Sequence, residues 1–124
     1  MGTDELDERI ELLYQCGFCD EAGRDGLRRV VDALVRECGA KRDDEVLGTL
    51  VTHVAAALKR VREGEVITPL SPEIVKEVRS SPVYAEAERI RDELIDALGF
   101  GLPEAEKDFV LVHVGGLLLS QANE

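Results

Sequence analysis

The segment over residues 109–119 constrains the fold most, because it is apolar on every side of a helix. It contains no charged residue, and His113 interrupts a run of Phe, Val, Leu and Gly. A helix that is hydrophobic all round is buried in a protein core or in a membrane. This segment is only about half of the roughly 20 residues that cross a bilayer. The sequence therefore predicts a central helix that other helices cover.

Apolar residues at steps of three and four predict the covering helices, since this spacing gathers side chains on one face. The clearest stripe consists of Leu47, Leu50, Val51, Val54, Leu58 and Val61. Asp43 or Asp44 can cap its helix, which runs to Glu63-Gly64. Further helices are predicted over residues 4–15, over 20–38, from Ser71-Pro72 to Arg79, from Ser81-Pro82 to Leu98, and from Leu102-Pro103 onward. Both Ser-Pro pairs are interpreted as helix starts, with Ser as cap and Pro in the first turn.

The predicted fold class is all-α, a compact five-helix bundle with a short extra N-terminal helix. Residues 1–19 are expected to form the helical lead-in, and residues 20–124 the domain. Gly26 lies inside the second helix and weakens its first turns by about 1 kcal/mol relative to Ala. The pair Gly115-Gly116 lies inside the last helix, which favours close approach of another backbone.

Composition limits the function classes. Lys and Arg total 15 against 26 Asp and Glu, a net charge of −11, which argues against nucleic acid bound through a basic face. Aromatic residues are only 4% of the chain, which disfavours an all-β fold. The N-terminus lacks the features of a secretory signal, and the odd cysteine count, Cys16, Cys19 and Cys38, favours free thiols. We therefore expect a cytoplasmic protein without a membrane span.

The candidate functional residues are the two histidines, because each lies within a strongly apolar helix. His53 is expected at the edge of the core, whereas the surroundings of His113 require burial in the fold or at an interface. One interpretation is that both are core histidines with hydrogen-bond partners. A two-histidine metal site is disfavoured because no third ligand has helical ligand spacing. The C-x-x-C spacing of Cys16 and Cys19 lacks the strand–turn–helix setting of a redox motif, so ordinary packing is favoured.

Charged residues accompany both histidines at the same spacing. Arg60 lies seven residues after His53, and Glu106 seven residues before His113, so each shares a helix face with its histidine. Arg60 could therefore meet a phosphate or a carboxylate near His53. An enzyme that uses His113 and Glu106 as acid and base is disfavoured, since the chain contains no recognisable cofactor or hydrolase motif. We expect no catalytic activity, cofactor or metal.

Four separate pieces of the chain resemble one family. Residues 50–60 read LVTHVAAALKR, a loop with Gly64 and Ile67 follows, residues 81–87 read SPVYAEA, and residues 102–114 read LPEAEKDFVLVHV. They resemble, in order and spacing, the PTS regulation domain (PRD), a module of regulators of sugar phosphotransferase operons. The family pattern reads D-H-I followed by A and R, and later L-P-x-x-E-x-x-F-I-x-x-H. The resemblance covers residues 44–120, or nearly the whole chain if residues 20–38 form the first helix.

The resemblance implies a function for these residues. PRD modules are helical, usually dimeric, and their histidines accept phosphate from the phosphocarrier HPr or from an enzyme II component B. His53 and His113 would be the phosphoacceptors, and Arg60 and Glu106 supporting residues. The chain departs from the pattern at Thr52, where many members have Asp, and it holds one copy of the module without a nucleic-acid-binding part. It would therefore signal through an unknown downstream protein in transcriptional or operon regulation. The alternative is a dimerisation or scaffold module with structural histidines.

Overall fold

The computed structural model describes residues 5–99 and 101–122. This part of the chain forms six helices and no strand: α1 (Glu5–Gln15), α2 (Glu21–Cys38), α3 (Glu45–Glu63), α4 (Pro72–Arg79), α5 (Tyr84–Leu98) and α6 (Glu104–Ala122). The predicted all-α class, with five helices after an N-terminal one, is confirmed. Among the helices described, none combines the length and the apolarity that crossing a membrane requires.

The helix ends follow local chemistry. The Asp20 carboxylate accepts the backbone N–H of Gly23 at 2.8 Å, and the Asp44 carboxylate accepts that of Val46 at 2.8 Å. Both carboxylates satisfy backbone donors that the first helical turn leaves unpaired. At the other end of α3, Gly64 has a left-handed backbone with φ 75°, which only glycine adopts without steric cost. The predicted bounds of α2 and α3 therefore agree closely with the structure.

The interpretation of Ser81-Pro82 as a helix start was wrong. Ser71 does cap α4, with its hydroxyl accepting the backbone N–H of Ile74 at 3.3 Å and Pro72 at the first helical position. Pro82, by contrast, lies in a turn, and α5 begins at Tyr84 without a side-chain cap. The Ser81 hydroxyl instead accepts the backbone N–H of Val83 at 3.3 Å, which closes a tight turn rather than the first turn of a helix.

The core lies between α1, α2, α3, α5 and α6, with the most extensive helix contact between α2 and α5 and with α6 packed against both α3 and α5. α1 docks through Leu6, Ile10 and Leu13, all buried. Gly26 is buried in α2, and a Cβ there would lie 3.3 Å from the backbone oxygen of Leu98. The glycine therefore allows α2 to approach the end of α5, and α2 is helical through this position.

The last helix is buried along most of its length but is not covered all round. Val110, Val114 and Leu117 are buried, whereas Gly116 is exposed and the Leu119 side chain is 42% exposed. Apart from the adjoining residues and the nearby backbone of α6 itself, no described atom lies within 4 Å of where a Cβ would be at Gly115 or Gly116. Within the described residues, no other backbone approaches the glycine pair, so the predicted close approach is not made inside this chain. The α4 residues Glu77 and Val78 line a groove on this side together with Gly115, Gly116 and Leu119.

Candidate functional site

The two histidines meet in the seam between α3 and α6. Their imidazole rings are stacked, with centroids 4.1 Å apart and planes inclined by 18°. His53 lies beside the buried stripe of α3, and His113 lies between the buried residues Val110 and Val114 of α6. Both histidines are partly buried, as expected for His53 at the core edge. The packing of the two helices thus joins two residues that are 60 positions apart in sequence into one cluster.

Phe109 completes this histidine cluster and was not singled out by the sequence analysis. Its ring meets His53 edge to face at 5.3 Å and His113 at 4.6 Å between centroids. Edge-to-face contacts of this kind stabilise aromatic pairs beyond simple area burial. Phe109 lies four residues before His113, so it shares that histidine's helix face. This spacing was the available sequence signal.

Arg60 and Glu106 form an ion pair across the same seam. The guanidinium donates from Nε to Oε2 at 2.9 Å and from Nη2 to Oε1 at 2.8 Å, a two-point contact. Glu106 is only 2% exposed, and it is the buried charged residue of the described chain. The hydrogen bonds that Arg60 donates to Glu106 raise the pKa of Arg60. Of the two groups that Arg60 was expected to meet, phosphate or carboxylate, the structure supplies the carboxylate.

The ion pair and the histidines are two layers of one helix contact. α3 and α6 run in opposite directions here, because His53 meets His113 while Arg60, later in the chain, meets the earlier Glu106. The shared spacing of seven residues places the layers about 10 Å apart along the seam. Phe109 links them, since the Arg60 guanidinium carbon lies 5.3 Å from its ring centroid. This distance permits a cation–π contact.

The environment keeps His113 neutral. Burial, and then the neighbouring His53, lower the pKa of His113 below its ordinary value. No described residue hydrogen-bonds to either ring, and no nitrogen of either ring is both fully buried and without a hydrogen-bond partner. The imidazole nitrogens are therefore open to solvent. A neutral imidazole nitrogen that reaches solvent is a competent nucleophile near pH 7.

The geometry excludes some chemistry within the pair. Imidazole lone pairs lie in the ring plane, so two rings that are stacked face to face cannot hydrogen-bond to each other. Glu106 is held by Arg60, and no described contact joins it to His113. The described residues thus do not form the acid–base couple of His113 and Glu106 that the sequence analysis considered.

Thr52, the residue before His53, forms its hydrogen bonds with groups other than the His53 ring. Its hydroxyl donates to the Gly48 carbonyl at 3.0 Å and accepts from Arg9 Nη1 at 3.3 Å. Both contacts lie on the side of α3 that receives α1. Thr52 therefore ties α1 to α3 and has no described contact that orients the imidazole of His53.

The other sequence candidates lie elsewhere. Within residues 5–99 and 101–122, no three His, Cys, Asp or Glu residues cluster in a way that could hold a metal ion. The cysteines are free, with Cys16 exposed, Cys19 buried and Cys38 partly buried. Burial raises the pKa of Cys19, and it raises that of Cys38 to about 11. These two thiols are protonated at neutral pH, which is unlike a reactive thiolate.

Fold and site together define a small all-helical module with paired histidines between two antiparallel helices. The chain matches the family model described as PRD domain over residues 28–117, and it therefore belongs to the PRD domain family. The matched range includes both histidines, Arg60 and Glu106, and it leaves α1 outside. The resemblance inferred from the sequence is confirmed.

Two curated relatives span much of the chain. A protein of Escherichia coli (strain K12) named "Uncharacterized protein YhfY" is 29% identical over 119 residues, which cover 96% of this chain and 98% of the relative. A Haemophilus influenzae protein named "Uncharacterized protein" is 26% identical over 97 residues, 78% of each chain. No solved structure matches.

Proposed function

We propose that this protein is a PRD regulatory protein of a sugar phosphotransferase system, reversibly phosphorylated on His53, His113 or both. The phosphodonor is the phosphocarrier HPr or an enzyme II component B. The observation that carries this proposal is the stacked pair of solvent-open imidazoles within a PRD domain. The protein acts in transcriptional or operon regulation through contacts with a downstream protein, in the cytoplasm. In this proposal, residues 20–124 form the regulatory domain and residues 1–19 its lead-in.

The chemistry requires only an unprotonated imidazole nitrogen. Its electron pair forms the new N–P bond while the donor's bond to phosphorus breaks, and the donor's leaving atom keeps the electrons of that bond. Burial favours the neutral form of His113, since it lowers the pKa of this imidazole. The product adds about −1.5 to −2 charges to the surface near α3 and α6. A change of this size alters which partner surfaces can dock there.

Arg60 and Glu106 are proposed to support the site by holding the helices rather than by contacting phosphate. The guanidinium is engaged at two points with a carboxylate that is 2% exposed. Moving Arg60 to a phosphate would leave that buried charge unpaired, at a cost of about 3–5 kcal/mol. The negative charge of a phosphorylated histidine is therefore offset by solvent ions or by a partner.

A homodimer is part of the proposal. An apolar groove of about 340 Å³ lies between α4, α5 and α6, next to the glycine pair of α6. The exposed Leu119 side chain borders it. An uncovered apolar groove of this kind is typical of a surface that another protein covers. A second copy of the chain is the occupant that the family resemblance implies.

The alternative is a dimerisation or scaffold module with structural histidines. Two observations favour it. Phe109 packs against both imidazoles, so the cluster has a packing role whether or not it is modified. The position before His53 also lacks the carboxylate of the family pattern. In this alternative, replacing the histidines changes stability or dimerisation and no phosphate is bound.

Phosphorylation by the donor proteins tests the proposal. The purified protein is incubated with phosphoenolpyruvate, enzyme I and HPr, and in a parallel reaction with an enzyme II component B. Intact mass then measures acid-labile phosphate in the wild type, in His53→Ala and in His113→Ala. The expected result is a phosphate that at least one substitution reduces and that the double substitution abolishes. Phosphate that persists in the double variant, or no phosphate from either donor while HPr is itself phosphorylated, would refute the proposal.

A further inference from the structure

We propose that His53 and His113 act as one shared phosphoacceptor, which holds a single phosphoryl group per chain although either histidine can receive it. This inference rests on the proposed function and specifies how its site is regulated. It is carried by the stacking of the two rings, which are 4.1 Å apart and inclined by 18°. The sequence separation of the two residues does not reveal this contact.

The first step concerns access. Both histidines are partly buried, and neither ring has a sealed nitrogen without a partner. A nitrogen of each ring can therefore be reached by a donor from solvent. Because the two ring planes are nearly parallel, a phosphorus atom bonded in the plane of one ring does not lie in line with the lone pair of the other. Each histidine therefore receives its phosphoryl group from a donor and not from its neighbour.

The second step concerns repulsion. A phosphoryl group bonded to an imidazole nitrogen carries about −1.5 to −2 charges at pH 7. Even when the two rings point their nitrogens in opposite directions, stacking holds two such groups within about 7 Å of each other. At that separation, repulsion in water lowers occupancy of the second site about ten- to fiftyfold. The first phosphoryl group thus protects the second histidine.

The third step concerns relief of that repulsion. Phe109 contacts both rings by its edge or face, so neither imidazole can leave the stack without losing aromatic contacts. The cation of the same seam, Arg60, is held at two points by the buried Glu106. The net charge of the chain is −11, so its charges taken together do not offset this repulsion. Neither rotation of an imidazole out of the stack nor neutralisation by Arg60 therefore relieves the repulsion between two phosphoryl groups.

The experiment uses excess phosphoramidate, a small phosphoryl donor that needs no protein partner. Its P–N bond breaks and ammonia leaves as the imidazole N–P bond forms. Intact mass at low ionic strength, where repulsion is least screened, counts groups per chain in the wild type, His53→Gln and His113→Gln. We expect one group in the wild type and one in each variant. A wild type that carries mainly two groups, or a variant that takes none, overturns the inference.

A matched pair of substitutions tests the electrostatic cause. His53→Glu places a negative charge beside His113, whereas His53→Gln has nearly the same size without the charge. We expect about fivefold lower phosphoryl occupancy of His113 in the Glu variant than in the Gln variant. Equal occupancy overturns the repulsion argument.

The two donors separate the outcomes. Two groups from phosphoramidate refute the shared acceptor and leave the proposed function standing. One group from phosphoramidate with none from HPr or the enzyme II component supports the shared acceptor and refutes the proposed function. A chain that takes no phosphoryl group from either source refutes both.

Discussion

The buried ion pair of α3 and α6 should respond asymmetrically when its members are replaced one at a time. In Arg60→Gln, the Glu106 carboxylate, 2% exposed, loses its counter-charge and cannot reach water. An unpaired buried charge of this kind costs about 3–5 kcal/mol. In Glu106→Gln, the Arg60 side chain, 22% exposed, can turn its guanidinium toward solvent and keep one hydrogen bond to the amide. The cost should then be about 1–3 kcal/mol.

Urea unfolding followed by far-UV circular dichroism measures these costs as changes in the free energy of unfolding. The double variant should lose less than the sum of the single ones, with a coupling energy of at least about 1 kcal/mol. The exposed pair of Lys59 and Glu63 on α3, with Nζ and Oε1 3.0 Å apart, is the matched control, and its neutralisation should cost no more than about 0.5 kcal/mol. Equal costs for the two single variants, or strict additivity, would show that the pair is not a buried unit.

Three further predictions concern other features. Gly116→Ala should raise the free energy of unfolding by about 0.5–1 kcal/mol, because its Cβ meets open space. Gly26→Ala should lower the free energy of unfolding, because its Cβ would lie 3.3 Å from backbone. Calorimetry that gives both changes the same sign contradicts this prediction. An NMR titration should place the pKa of His113 below its ordinary value, and stability should fall as pH drops below about 6.5, since the unfolded chain then binds the proton more readily. His113→Gln should remove this part of the pH dependence, and an unchanged profile would contradict the assignment. Iodoacetamide at pH 8 should label the exposed Cys16 well before Cys38, whose pKa is raised to about 11, and equal rates by peptide mass would refute the difference.

Helix boundaries could be predicted from the sequence where one side chain and one nearby backbone donor determine them. Asp20, Asp44 and Ser71 each cap a helix through a contact two or three residues away. The same reasoning failed at Ser81-Pro82, because a Ser-Pro pair is compatible both with a helix start and with a tight turn. The dipeptide alone does not distinguish these two.

The candidate site could be predicted one helix at a time. Spacing placed Arg60 on the face of His53 and Glu106 on the face of His113, and both placements hold. Which face of α3 meets which face of α6 depends on how the two helices pack, and no local pattern encodes this. The stacked rings, the partner of Arg60 and the role of Phe109 therefore became visible only in three dimensions.

The ion pair and the histidine cluster together fix the position of α6 along α3. If α6 slid along α3 by one helical turn, about 5.4 Å, the Glu106 carboxylate would leave Arg60 and the histidines would separate. The ion pair and the histidine contacts would both have to break before either could form with new partners. If the proposed phosphorylation of the histidines occurs, its effect would be expected as altered surface charge or as a change in what docks on this module, and not as a piston-like shift of the last helix.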